Sequence, residues 1–372
     1  MSDLELNDEL FTDGQEKETA ATEMAKCPSC GANLVYDVAT RGLKCPYCGE
    51  EKALRHDNYT SEIELEKLFR TRAKEWNSET RTFRCKNCGA VTVISHTEIA
   101  KDCAFCGTSN IVEQKEMSGL RPNGVLPFTV TKQQAEDALK KWAKKRVMAP
   151  SKLQKSISAE KINGNYLPCF TFDARTVSRY EGRLGEYYYV TKTINGKQVQ
   201  ERKVRYFHVR GTHEGLYDDV AVQASNALPG SAASKLQPFD TNNSQEYSAN
   251  YLYGFTATQY TKDGKQCWGE AKDIMHSAER TKILAGYTYD VIDYFNVDTE
   301  YFGVTYKYVL LPIYIGHYLF KSKVYNFFVN GRNGKVAGQA PKSPWKVGAV
   351  VLAILAVIAA IVAFYIYNNG GF

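Results

Sequence analysis

CPSCGANLVYDVATRGLKCPYCG runs from Cys27 to Gly49, and CKNCGAVTVISHTEIAKDCAFCG runs from Cys85 to Gly107. In both, a Cys-x-x-Cys pair is followed after fourteen residues by a second pair. Gly31-Ala32 and Gly89-Ala90 follow the first pairs, and Gly49 and Gly107 the second, so one unit is repeated with an offset of 58. A Cys-x-x-Cys turn sets two sulfurs on one edge of a tight loop with backbone N–H groups aimed at them, and the next glycine supplies the left-handed conformation the turn needs. Two such knuckles on a short hairpin complete a tetrahedral shell of four thiolates with no open position, the signature of a structural zinc site. The expected ligands are Cys27, Cys30, Cys45 and Cys48 in one unit and Cys85, Cys88, Cys103 and Cys106 in the other, for two Zn2+ per chain. Pairing within each unit is the default, and iron is the competing metal. A redox Cys-x-x-Cys is the alternative chemistry, but that motif is single and opens a helix in a βαβ unit.

Each unit is too short to bury a core, so the metal has to supply most of its folding free energy, on the order of 10 kcal/mol or more. One hairpin reads from Asn33–Tyr36 through Arg41-Gly42 to Leu43-Lys44, the other from Val91–Ile94 back toward Lys101. Lys26, Lys44, Arg84, Lys86 and Lys101 lie beside the knuckles and can offset the negative charge of four thiolates on one Zn2+. Cys169 and Cys267 are isolated and read as core thiols.

At the other end, VGAVVLAILAVIAAIVAFYIY, residues 347–367, is 21 residues without a charge, a proline or a side-chain amide, enough to cross a hydrocarbon core. A soluble core helix would show a polar stripe there. Arg332, Lys335, Lys342 and Lys346 precede it and no charge follows, so the positive-inside rule puts the bulk of the chain in the cytoplasm and makes the protein a single-pass, tail-anchored component of the cell membrane. The acidic residues 1–24 resemble neither a signal peptide nor a transit peptide and read as a disordered tail. Ten cysteines in a reducing compartment favour metal thiolates over disulfides.

The 372 residues, 44% hydrophobic, allow several units. The first cysteine unit takes 25–51, a helical linker 52–82, and the second unit 83–113. The linker stretch EIELEKLFRTRAKEW, Glu62 to Trp76, has helical spacing. Residues 118–341, rich in Tyr, Phe, Val and Thr, read as a β-rich domain interrupted by helices near Lys132–Arg146 and Ala271–Leu284. Turn signals fall at Asn195-Gly196, Asp263-Gly264, Asn330-Gly331 and Asn333-Gly334. Residues 368–372 are a short tail. Tyr166-Leu-Pro and Leu310-Leu-Pro each follow a helix, open an aromatic strand and lead to a second strand around Tyr180 or Tyr325, the pattern of a duplicated lobe. Each proline would suit an edge or first strand position. The fold class expected is α+β multidomain: two four-cysteine zinc ribbons, a β-rich domain with a few helices, and one C-terminal transmembrane helix.

No phosphate loop, His-Glu-x-x-His, nucleophile elbow or paired catalytic carboxylate motif occurs; His208, His213, His276 and His317 are scattered, and no enzyme is expected. Residues 27–118 carry as many acids as bases, unlike a nucleic-acid reader. The net charge of +6 therefore resides in later parts of the chain, where an anionic bilayer surface would attract it.

The eight cysteines and their glycines resemble the zinc ribbon of the transcription factor TFIIB and the zinc knuckles of primosomal protein N′. With the aromatic β-rich domain, VNGRNGKVAGQAPKS from Val329 to Ser343 and the terminal helix, the layout resembles a family of bacterial TFIIB-type tandem zinc-ribbon membrane proteins, often labelled helicase-like for the ribbons alone. That resemblance implies association with SPFH-domain and PspA-like proteins of envelope stress. The function expected is a non-enzymatic adaptor whose ribbons and linker helix dock protein partners, with a membrane-tethered nucleic-acid-binding regulator as the alternative.

Overall fold

The computed structural model describes residues 26–54, 58–70, 80–95, 103–114, 120–151, 153, 162–194, 197–320 and 323–368. The acidic tail, the later half of the linker helix, Lys101 and the Asn195-Gly196 turn lie outside these.

The first cysteine unit forms β1 (Val35–Asp37), β2 (Gly42–Lys44) and β3 (Glu51–Lys52), an antiparallel sheet of its own. Arg41, at φ 54°, makes the hairpin turn. The linker contributes β4 (Ile63–Glu64) and a short α1 (Leu65–Arg70), so the expected helix starts later than its apolar spacing suggests because Ile63 pairs with Tyr306 of the body. The second unit holds β5 (Thr80–Cys85), β6 (Val91–Ser95) and β7 (Ile111–Gln114). Here β6 pairs with β5 of its own unit on one side and with the body on the other.

The body follows as β8 (Gly124–Val125), α2 (Lys132–Lys144), β9 (Ile162–Ile194), β10 (Lys197–Gln223), α3 (Gly230–Leu236), β11 (Gln245–Glu246), β12 (Thr256–Thr258), α4 (Gly264–Ala285), β13 (Val291–Phe320), β14 (Lys323–Asn330) and β15 (Val336–Gly338), and α5 (Pro344–Asn368) ends the described chain. Asp263-Gly264 is no hairpin turn. Asp263 caps α4, its carboxylate accepting from the Gln266 N–H at 2.7 Å while the Gln266 amide accepts from the Asp263 N–H at 3.0 Å. Thr131 and Gln134 make the same reciprocal box at the start of α2.

Strands β9 and β13 are the antiparallel centre of a twelve-stranded sheet, and Leu167 faces Leu311 at its middle. About that pair the lobes repeat. Asn165-Tyr166 pairs in parallel with Thr256-Ala257, and Val309-Leu310 pairs in parallel with Gly124-Val125. Cys169 pairs with Gln223 at the end of β10, and Ile313 with Asn330 at the end of β14. The two prolines occupy equivalent places in mid-strand, not at the expected edge or first position. The Pro168 carbonyl accepts from Ala224 N–H at 3.0 Å and the Pro312 carbonyl from Gly331 N–H at 2.9 Å, each donor one residue beyond the end of the flanking strand. A residue's N and O face the same neighbour in an antiparallel ladder, so each missing proline N–H falls where that neighbour has ended. Tyr180 lies further along β9 itself, whereas Tyr325 sits on β14 as expected.

Alternation divides the core. Tyr166, Leu310 and Tyr314 face α2 and the first cysteine unit; Phe170, Phe172, Tyr306 and Tyr308 face α4. Leu167, Cys169, Val309, Leu311 and Ile313 face α3 and the second unit. Cys169 and Cys267 are both buried, and burial pushes the Cys267 thiol up to about 12. Each cysteine unit therefore closes one side of the body's core.

Candidate metal centres and membrane helix

Four knuckles repeat one backbone pattern. The N–H groups of Gly31, Gly49, Gly89 and Gly107 donate to the carbonyls of Cys27, Cys45, Cys85 and Cys103 at 2.9, 3.1, 3.0 and 2.9 Å. All four glycines have positive φ, between 69° and 80°. The N–H groups of Cys27 and Cys85 also reach the carbonyls of Ala32 and Ala90, at 2.8 and 2.9 Å.

These turns bring Cys27, Cys30, Cys45 and Cys48 together, and separately Cys85, Cys88, Cys103 and Cys106, with all sulfurs of a group within 4.8 Å of one another. Sulfurs of Cys27 and Cys48, and of Cys30 and Cys45, are 3.4 Å apart; those of Cys85 and Cys106, and of Cys88 and Cys103, are 3.6 Å apart. All are free thiols. A tetrahedral shell with metal–sulfur bonds of about 2.3 Å has sulfur–sulfur edges of roughly 3.8 Å, so a small relaxation admits the ion. Both groups thus fit two zinc ions.

The thiols are graded for deprotonation. The Cys48 N–H, ahead of Tyr47's, holds Cys45 down at about 6 against burial; although the Glu50 N–H works to lower Cys48, the thiols of Cys27 and Cys45 push it up to about 12. In the second group burial raises Cys85, but the N–H groups of Cys88 and Asn87 outweigh it and leave it at about 7, while burial lifts Cys103 to about 11. Burial works to raise Cys27 as well, but the N–H groups of Cys30 and Ser29 lower it. In both, the first cysteine of each knuckle is buried against the body and Cys30, Cys48 and Cys88 are exposed.

Two clusters that sequence reading did not single out lie in the body. Glu279, wholly buried on α4, accepts from Tyr217 Oη and pairs with His213 Nδ1, both at 2.6 Å. Burial raises this carboxyl, but the bonds from Tyr217 and His213 outweigh that and keep it below its usual range. The Ser178 hydroxyl, opposite His213 in the ladder, bonds Thr299 at 2.9 Å, so the histidine braces the long hairpin against α4. Glu62, Asp173 and Asp218 converge within 4.8 Å, and the Lys307 ammonium lies among them, 2.8 Å from Asp219 and 3.8 Å from Glu62. A buried lysine supplies the positive charge in that cluster. Both arrangements join residues more than 60 positions apart, which local pattern could not pair.

Helix α5 is long and apolar enough to cross a membrane, and none of its apolar stretch is covered by protein. Its 25 residues span about 37 Å, enough to cross a bilayer. Trp345 stands exposed near its start and Tyr365 and Tyr367 near its end.

No family model matches the chain, and no solved structure matches it. Over 334 residues it is 28% identical to the uncharacterized protein YdjG of Bacillus subtilis (strain 168), an alignment covering 87% of this chain and 92% of that protein.

Proposed function

We propose that the protein is a non-enzymatic, membrane-anchored adaptor whose two zinc ribbons dock protein partners. The observation that carries this reading is the pairing of two four-cysteine groups with an uncovered apolar helix in one chain. Four protein sulfurs fill a zinc ion's coordination shell and leave no position for a substrate; bound zinc would cross-link each hairpin and fix its outer surface. Cys27, Cys30, Cys45 and Cys48 hold one ion and Cys85, Cys88, Cys103 and Cys106 the other. Tyr47, 83% exposed between Cys45 and Cys48, offers the kind of rigid aromatic that anchors protein interfaces.

Among the described residues, the cleft of about 280 Å³ between α3 and β14 has Lys235 and Tyr325 as its titratable groups, which favours a binding module over acid–base chemistry. The bulk of the chain sits on the cytoplasmic side of the cell membrane. By the family resemblance, the partners are SPFH-domain and PspA-like proteins.

In-cell crosslinking, mild detergent extraction and mass spectrometry test this, comparing wild type with Cys30→Ser and Cys88→Ser. Specific proteins lost in the variants support the adaptor. Recovery of nucleic acid that depends on the same cysteines would replace it with the tethered nucleic-acid regulator.

A further inference from the structure

The last turn of α2 and the residues after it present Lys141, Lys144, Lys145, Arg146 and Val147, all exposed, Val147 at 72%. The fold carries this segment across 197 positions of sequence to the base of α5. Lys346 Nζ donates to the carbonyls of Ala149 and Val147 at 2.9 and 3.4 Å, and Ser343 N–H donates to the Met148 carbonyl at 2.8 Å. Trp345, 86% exposed, belongs to the same junction.

Lys141 and Lys144 complement the carbonyl end of α2, an ordinary helix-dipole role. That role does not extend to Arg146 and Val147, which lie past the helix. Among the described residues no carboxylate pairs with the four cations; on the same helix Glu136 is taken by Lys140, and Asp137 is the other acid. The Arg146 guanidinium lies over the Trp142 ring at 4.9 Å, and Trp142 packs edge-on to Phe327 of β14 at 5.4 Å, so the segment is fixed to the body.

We propose that the end of α2 and the base of α5 form one binding site for anionic phospholipid head groups. Lys141, Lys144, Lys145 and Arg146 meet the phosphates, while Val147 and Trp345 seat in the interfacial layer. The proposal rests on α5 crossing the bilayer, since the hydrogen bonds above place the cations level with its entry point. It adds a constraint that the anchor alone lacks: the body is held against the membrane in one orientation, and the cysteine units keep a set height above it.

The test uses the full-length chain and two separate readouts. Flotation with neutral phosphatidylcholine vesicles reports insertion of α5. Native mass spectrometry of the detergent-solubilised protein, with phosphatidylglycerol and phosphatidylcholine in competition, reports the head-group site. Wild type is expected to retain phosphatidylglycerol over phosphatidylcholine by about tenfold or more, a preference weakened by salt because it is electrostatic. The K141Q/K144Q/K145Q/R146Q variant should lose that preference and still float, and K141R/K144R/K145R should keep both. Equal lipid preference in wild type and the glutamine variant, or no preference in wild type, would overturn the site while leaving the anchor intact. Failure to float with neutral vesicles would remove the anchor and this proposal with it.

Discussion

The first cysteine unit closes its own three-stranded sheet and meets the body through side chains and the Tyr36–Tyr253 backbone bond, whereas the second is joined to the main sheet by strand pairing. Leu34, Tyr36 and Leu43 bury against the body, Tyr36 packs on Tyr251 and Phe255 at 5.4 and 6.2 Å between ring centres, and the Tyr36 N–H donates to the Tyr253 carbonyl at 3.0 Å. In the second unit Val93 pairs with Ala257 and Thr92 with Thr258, and β12 pairs in turn with β9 at the centre. The same knuckle is thus placed once as a docked module and once as part of the sheet. Loss of metal should stay local in the first and spread in the second.

The largest effect should come from the buried ligands. Cys85→Ser and Cys27→Ser should each reduce bound metal from two ions per chain to one, read by elemental analysis. Cys85→Ser should cost the body roughly 4 kcal/mol, a fall in Tm of about 10 °C, and Cys27→Ser less than half of that, by scanning calorimetry. Equal falls would break the comparison.

The glycines sharpen it. A Cβ on Gly31 meets nothing within 4 Å, so Gly31→Ala should cost about 1–2 kcal/mol from its left-handed backbone alone. On Gly107, with the same backbone strain, a Cβ would also lie 2.4 Å from His317 Nε2 on β13. Gly107→Ala should therefore be clearly worse than Gly31→Ala in denaturant unfolding. A smaller gain is expected at the first unit's docking face. The Tyr36 hydroxyl is buried with no hydrogen-bond partner among the described residues, and burial pushes its pKa up. Tyr36→Phe should stabilise by about 1 kcal/mol.

The smallest effect concerns the linker's contact with the body. Burial first, then Glu62, lifts Asp173 to about 6. A carboxyl raised above its unfolded value contributes stability that is full below that value and lost as pH climbs through about 6. Asp173→Asn should flatten the decline in stability between pH 4 and 6, measured as Tm against pH. An unchanged profile would remove Asp173 from the network that Lys307 organises.

Sequence by itself determined the parts whose causes are local. Cys-x-x-Cys-Gly fixes a knuckle because the turn, its N–H groups and its left-handed glycine lie within five residues, whereas which knuckles meet was only a default in the sequence and is decided by the fold. The apolar run of α5 was readable for the same reason, since length and composition are properties of the segment itself. Asp263-Gly264 shows where such reading stops: the pair suits a turn or a helix start, and Gln266 decides between them. Tertiary structure alone decided what the knuckles lean on, that Pro168 and Pro312 sit beside the ends of their neighbouring strands, that Lys307 gathers Glu62 and Asp219, and that the basic end of α2 meets the base of α5. Those are meetings of residues far apart in the chain. Their free energy exists only once β9 and β13 have paired, so no window of sequence carries it.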